Sequence, residues 1–233
     1  MDPTNVPAGV SPDYSAVLGA ALQYALLPAL LVAAVAYFCG CFNGAVIVSK
    51  YILRDDVRTH GSGNAGLTNF FRTFGGPLTL VVILCDVLKA VVAVWVGILA
   101  AKYMILDDAM MITLGKYWAG LWCLLGHMFP CMFGFKGGKG ILSGGAIAIM
   151  IDWRVALVVW GGFLILAVLT RYVSLGSCWA GASFPFITWF VYRDPVITGL
   201  GAFIGLLILY MHRGNIHRLL TGTENKFTLH KKH

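Results

Sequence analysis

Four short stretches of this chain gather the residue types that hold a phosphate group. They are His60-Gly-Ser-Gly-Asn-Ala-Gly-Leu-Thr-Asn69, Gly134-Phe-Lys-Gly-Gly-Lys-Gly140, Arg171-Tyr-Val-Ser-Leu-Gly-Ser177 and Met211-His-Arg-Gly-Asn-Ile-His-Arg218. Glycine lets backbone N–H groups converge on an anion, and Lys, Arg, Ser and Asn add donors around it. In the first stretch Gly61, Gly63 and Gly66 form a turn with Ser62, Asn64, Thr68 and Asn69 as side-chain donors, and Arg72 follows where it can pair with a phosphate. The glycines match GxGxxG to the letter. A dinucleotide site, however, needs a strand before them and a βαβ unit around them, whereas an apolar helix precedes them here. In the second stretch Lys139 is followed by Gly140 rather than Ser or Thr, so the loop is not a nucleotide P-loop, but Lys136 and Lys139 flanking Gly137 and Gly138 still make an anion cradle.

Ser174 and Ser177 are three apart, as are His212 and Asn215, so each pair shares one face of a helical turn. His212 has the intrinsic pKa for proton transfer, although phosphate binding needs only its N–H. His127, alone in an apolar run, reads as a hydrogen-bonded packing residue. Asp86 and Lys89, three apart within an apolar segment, read as a mutually neutralising pair. A Ser-His-Asp order, a pair of acid/base carboxylates and a metal-ligand spacing are all missing from the sequence, so no metal or cofactor is expected. Chemistry here must rest on positioning and charge stabilisation.

The elements that position these residues are apolar. The chain is 59% hydrophobic and 12% charged, against about 25% charged in soluble domains, so lipid is its solvent. Seven segments are predicted to cross the membrane, one within 18–50 and the others at about 77–101, 116–133, 139–151, 154–170, 175–192 and 195–212. An all-α polytopic protein follows, with a disordered extension at 1–17, one transmembrane domain at 18–226 and a basic tail at 227–233. Cys39, Cys41, Cys85, Cys123, Cys131 and Cys178 lie scattered in apolar runs and read as free thiols.

The loop charges orient the chain. Lys50, Arg54, Arg58, Arg72, Lys136, Lys139, Arg171, Arg213, Arg218, Lys226, Lys231 and Lys232 fall on one side; Lys102, Lys116, Arg154 and Arg193 fall on the other with most of the aspartates. By the positive-inside rule the N-terminus is outside and the C-terminus cytoplasmic, which brings all four polar stretches to the cytoplasmic face. The formal charge of +7 is thus directed at a membrane surface and small anions, not at nucleic acid.

From about Tyr37 to Lys226 the chain resembles the bacterial acyl-phosphate-dependent glycerol-3-phosphate acyltransferases. The resemblance rests on Arg58–Arg72, on Gly126-His-Met-Phe-Pro-Cys-Met-Phe-Gly-Phe-Lys-Gly-Gly-Lys-Gly140, on Ser174-Leu-Gly-Ser177 and on His212–Lys226, all in the family's order and spacing. It implies transfer of a fatty acyl group from acyl phosphate to the 1-hydroxyl of glycerol 3-phosphate, in the bacterial cytoplasmic membrane. It also implies a cytoplasm-facing site. By the same resemblance Ser62, Thr68, Asn69 and Arg72 bind phosphate and orient the acyl donor, and the Lys136–Lys139 loop binds glycerol 3-phosphate. Ser174 or Ser177, with His212 and Asn215, completes the cavity, and Glu224 is structural. Ser62, Arg72, Ser174 and His212 are expected to act on the reacting groups; Gly61, Gly63, Asn64, Thr68, Asn69, Lys136, Gly137, Gly138, Lys139, Ser177 and Asn215 are expected to bind substrate. Acyl phosphate, glycerol 3-phosphate and membrane lipid are the expected partners of a monomer.

The chain departs from the family at Gly40-Cys-Phe-Asn-Gly44, where Gly-Ser-Ile-Pro is usual, at Ala65 and Leu67, and at Gly214, where the family has Glu. Two rival readings compete. A transporter for a phosphorylated metabolite would carry polar residues through several spans, yet only Asp86 and Lys89 are charged at depth; a scaffold protein would not need so many donors on one side.

Overall fold

The computed structural model describes residue 19 and residues 22–105 and 107–227, which leaves the predicted extension at 1–17 and the tail past Phe227 outside the described residues. Among the described residues the fold is helical throughout: α1 (Leu27–Cys41), α2 (Gly44–Ile47), α3 (Leu67–Thr73), α4 (Leu78–Ala100), α5 (Ala109–Met128), α6 (Ile141–Ile151), α7 (Trp153–Thr170), α8 (Val173–Tyr192), α9 (Pro195–Met211) and α10 (Arg213–Leu220).

Three of the aspartates assigned by charge to the far side start helices there. The carboxylate of Asp108 accepts from the N–H groups of Met110 and Met111, that of Asp152 from Arg154, and that of Asp194 from Ile197. Each satisfies donors that a helix N-terminus otherwise leaves orphaned. α5, α7 and α9 therefore begin at one end and α6 and α8 at the other, joined by short connections that make neighbours antiparallel. α5 packs on α1, α4, α6 and α9; α8 lies between α7 and α9. Tyr117 and Thr188 hydrogen-bond at 2.9 Å in the interior, tying α5 to α8. Outward, α7 presents Leu157, Leu164, Ile165, Val168 and Leu169, the last 78% exposed, which is the surface a lipid solvent favours.

Tyr24–Cys41, Leu78–Ile105 and Trp153–Thr170 are each long and apolar enough to cross a bilayer, and Pro195–Met211 with Arg213–Leu220, bent by 61°, would make a fourth. The helices nearest the remaining expected segments fall short of that test: α6 has 11 residues, and α5 and α8 are diluted by glycine, serine and aromatic residues.

Two expected segments are drawn differently. The first, placed within 18–50, is narrowed: α1 ends at Cys41, and Asn43 caps a new helix by accepting from the Val46 N–H at 3.1 Å. Asparagine competes well for backbone donors, so it starts α2 rather than prolonging α1. The third, 116–133, runs instead from Ala109 to Met128, because Asp108 caps it seven residues early and Phe129 and Pro130 leave helical geometry.

Candidate active site

All four polar stretches meet at the end of the bundle where α5 and α9 finish and α6 and α8 begin. They line a cavity of about 1060 Å³, at the upper end of the roughly 300–1,000 Å³ usual for small-ligand sites.

The first loop folds around one buried side chain. Gly61 and Gly63 take φ of 55° and 68°, the left-handed region, and bend residues 60–66 over the start of α3. From that start Asn69 reaches back: its Oδ1 accepts from the Ser62 N–H at 3.0 Å, and its Nδ2 donates to the carbonyls of Val57, His60 and Asn64 at 3.0–3.1 Å. The Asn69 amide, expected to bind phosphate, is thus occupied by the loop itself. Ser62 Oγ, Thr68 Oγ1 and the Arg72 guanidinium line the cavity and have no hydrogen bond to other described residues. We expect Asn69→Ala to lower stability by about 2–3 kcal/mol, because it strands several buried loop groups at once. We also expect it to cut turnover while Ser62 and Arg72 remain in the chain; thermal denaturation beside a rate assay checks both.

Lys139 reaches the cavity from the second loop. Its ammonium donates to Asn215 Oδ1; Asn215 Nδ2 donates to Glu224 Oε1 at 2.7 Å, and Arg218 Nε to Glu224 Oε2 at 2.6 Å. Burial pushes the Glu224 carboxyl up, but the hydrogen bonds from Asn215 and Arg218 outweigh it and hold it below the usual range. At neutral pH it is the anion that anchors two cation-bearing segments. Of the two serines, Ser177 already donates to the Val173 carbonyl at 2.9 Å, whereas the buried Ser174 hydroxyl lies beside Glu224 without reaching full hydrogen-bond geometry. Ser174 therefore has the freer proton. His212 Nδ1 lies 2.8 Å from the Ile208 carbonyl, which can only accept, so the neutral ring keeps its lone pair on Nε2.

Lys136, Gly137 and Gly138 do not line the cavity. The N–H groups of Gly137 and Gly138 donate to the Met128 and His127 carbonyls, both at 3.1 Å, which pins the loop to the end of α5. Arg58, paired with Asp56, donates to the Phe133 and Lys136 carbonyls at 2.7 and 3.2 Å and holds the loop from its other side. The Lys136 side chain points outward and is exposed. Every other predicted site residue lines the cavity: Gly61, Ser62, Gly63, Asn64, Thr68, Asn69, Arg72, Lys139, Ser174, Ser177, His212 and Asn215.

The sequence pattern did not assign Asp86 and His127 to the site, yet both border the cavity floor. Lys89 Nζ lies 2.7 Å from Asp86 Oδ1, 3.0 Å from the Phe42 carbonyl and 2.7 Å from His127 Nδ1. A charged pair in an apolar segment was the available signal. One wall of the cavity is apolar, formed by Ile141 and Leu142 of α6 and Trp160 and Phe163 of α7. The segment after Glu224 passes over the site: the Phe227 N–H donates to the Arg171 carbonyl at 2.8 Å, and its ring stacks on Phe71 at 6.3 Å.

Residues 30–222 match the family model for glycerol-3-phosphate acyltransferase. Among proteins similar to this one, a glycerol-3-phosphate acyltransferase of Fusobacterium nucleatum is 35% identical, covering 82% of this chain and 94% of its own. One of Clostridioides difficile is 37% identical, covering 84% and 94%. Two crystal structures of PlsY (YgiH), an integral membrane glycerol 3-phosphate acyltransferase, share the fold. Its glycerol 3-phosphate form superposes with a TM-score of 0.74 at 34% identity, covering 86% of this chain and 96% of that one. Its lysophosphatidic acid form gives 0.70 at 36%, covering 86% and 95%.

Proposed function

The chain belongs to the glycerol-3-phosphate acyltransferase family, and on that premise we propose that it transfers a fatty acyl group from acyl phosphate to the 1-hydroxyl of glycerol 3-phosphate. The products are 1-acylglycerol 3-phosphate and inorganic phosphate. The observation that carries this reading is the composition of one cavity. Free phosphate donors from the first loop and Lys139 face the same space as the apolar wall of Ile141, Leu142, Trp160 and Phe163, which suits a ligand that is anionic at one end and aliphatic at the other. The solved relatives in glycerol 3-phosphate and lysophosphatidic acid forms correspond to the acceptor and product of this reaction.

In the step itself the 1-hydroxyl oxygen attacks the acyl carbonyl carbon, the new C–O bond forms, and the bond from that carbon to the phosphate oxygen breaks. Phosphate is a good leaving group, so no covalent enzyme intermediate is needed. The hydroxyl proton passes to a phosphate oxygen of substrate, with His212 Nε2 as the nearby protein acceptor. Arg72, Ser62 and Thr68 hold the acyl phosphate and the charge that develops on it; Lys139, with Ser174 and Asn215, holds glycerol 3-phosphate. The protein is a monomer in the bacterial inner membrane, crossing it seven times with its N-terminus outside and the cavity facing the cytoplasm. The twelve basic loop residues on that side support the orientation.

The test is phosphate release from palmitoyl phosphate by purified protein in lipid, with and without glycerol 3-phosphate and with palmitoyl-CoA as the control donor. Release that needs glycerol 3-phosphate and yields the lysolipid, with the CoA thioester inert, is the expected result. A folded sample that releases nothing but carries labelled glycerol 3-phosphate across vesicles would replace catalysis by transport. In the same assay, Ser62→Ala that abolishes turnover while both ligands bind would give that hydroxyl a direct part in the chemistry.

A further inference from the structure

The buried cluster of Asp86, Lys89 and His127 has no part in the step written above, and its cost makes its presence informative. The side chains are 2%, 5% and 4% exposed, and an ion pair so far from water seldom adds stability over apolar packing of the same volume. What the cluster does supply is direction. A lysine ammonium has three protons and no lone pair, and here its three acceptors are Asp86 Oδ1, the Phe42 carbonyl and His127 Nδ1. Phe42 closes α1, so the ammonium also satisfies a carbonyl that the chain break frees. Because Nδ1 must accept, the His127 ring is neutral and carries its proton on Nε2.

That Nε2 edge meets both glycine loops. A Cβ built on Gly138 would lie 2.2 Å from His127 Nε2 and 2.7 Å from the Ala65 carbonyl oxygen, so ring, first loop and second loop all touch at the Gly138 Cα. The Gly138 N–H bonds the His127 carbonyl, and the Ala65 carbonyl accepts from Asn43 Nδ2 at 3.0 Å. Lys139 is the next residue along the chain.

Resting on the acyltransfer reading, we propose that His127 is a positioning residue: locked in one tautomer by Lys89 and Asp86, its Nε2–H edge sets the seam between the two glycine loops and thereby places Lys139 opposite Ser62 and Arg72. It acts through Gly138 and Ala65.

His127→Asn separates this from a packing role. Asparagine can still accept from Lys89 near the Nδ1 position but has nothing at the ring's far edge. The expected result is a melting temperature close to wild type, with KM for glycerol 3-phosphate raised about tenfold, since displacement of a binding group by a fraction of an ångström is enough for such a loss. A wild-type KM, or a fall in kcat that only tracks the loss of folded protein, overturns the proposal. Should the variant not fold, ¹⁵N-histidine NMR of the wild type in nanodiscs decides. The Nε2–H tautomer is expected at His127, turning into a mixture in the paired Asp86→Asn, Lys89→Met protein; an Nδ1–H tautomer in the wild type overturns it. If the wild type itself transfers no acyl group, the functional reading falls, and the NMR spectrum still decides the tautomer independently.

Discussion

Lys139→Met is expected to lower kcat/KM by at least about a hundredfold, on the order of 3 kcal/mol, the size of loss usual when one partner of a desolvated, hydrogen-bonded charge pair is removed. The chain has two lysines in this loop, and only Lys139 lines the cavity. Its ammonium is half-buried and held by Asn215, which is held in turn by Glu224. Methionine keeps the length and most of the volume but leaves Asn215 Oδ1 without its donor and the substrate phosphate without its cation. Lys139→Arg retains charge, yet a planar fork does not fit a position built for a point charge, so only part of the activity is expected back. Lys136→Met, outward on the same loop, is expected to stay within about twofold of wild type, as exposed substitutions usually do. Phosphate release at saturating acyl phosphate and varied glycerol 3-phosphate checks all three. Equal losses at 136 and 139 would mean that charge in the loop matters and its placing does not.

The second large effect is expected from a methyl group. Gly138→Ala puts a carbon 2.2 Å from His127 Nε2 and 2.7 Å from the Ala65 oxygen, and overpacking of this kind commonly costs about 1–3 kcal/mol and sometimes more. The partners determine whether the clash can relax. Lys89 holds the ring and Asn43 holds the carbonyl, so the loop must move instead and carry Lys139 with it. A fall in kcat/KM on the order of a hundredfold is expected at a concentration where the protein is still folded. Gly214→Ala is the control: the nearest atom to its Cβ is the end of a flexible arginine, Arg218 Nη1, at 3.6 Å, and activity is expected to hold. Side-by-side rates and melting curves for the two variants distinguish a blocked seam from a general intolerance of alanine in these motifs.

Much of this site was legible in the residues alone. Donor-rich stretches in an apolar chain had to come together somewhere wet, and the charge bias of the loops put them on one side; the cavity is lined from all four. The far-side aspartates were legible too, though as charge and not as the helix caps they prove to be. What stayed hidden depends on path and not on composition. Lys136 and Lys139 are chemically alike and three residues apart, and the choice between them is made where Gly137 and Gly138 bond to the end of α5. Asn69 reads as a donor in the sequence because nothing local says that four backbone groups already claim its amide. The break after α1 escaped hydropathy for the same reason. Residues 42–52 are apolar enough to continue a span, but Asn43 finds a better partner in Val46, and the freed Phe42 carbonyl finds one in a lysine nearly fifty residues on.

That lysine also bears on how the protein enters the bilayer. A lone charge at the middle of an inserting helix costs about 2.5–3.5 kcal/mol at the translocon, and α4 carries two. Because Asp86 and Lys89 sit three residues apart on one helix and pair at 2.7 Å, the segment brings its own counter-charge and can partition as a nearly neutral rod before any neighbour arrives. Phe42 lies in the segment made earlier and His127 in the one made later. Chain order thus offers the ammonium the Phe42 carbonyl first and the His127 ring second.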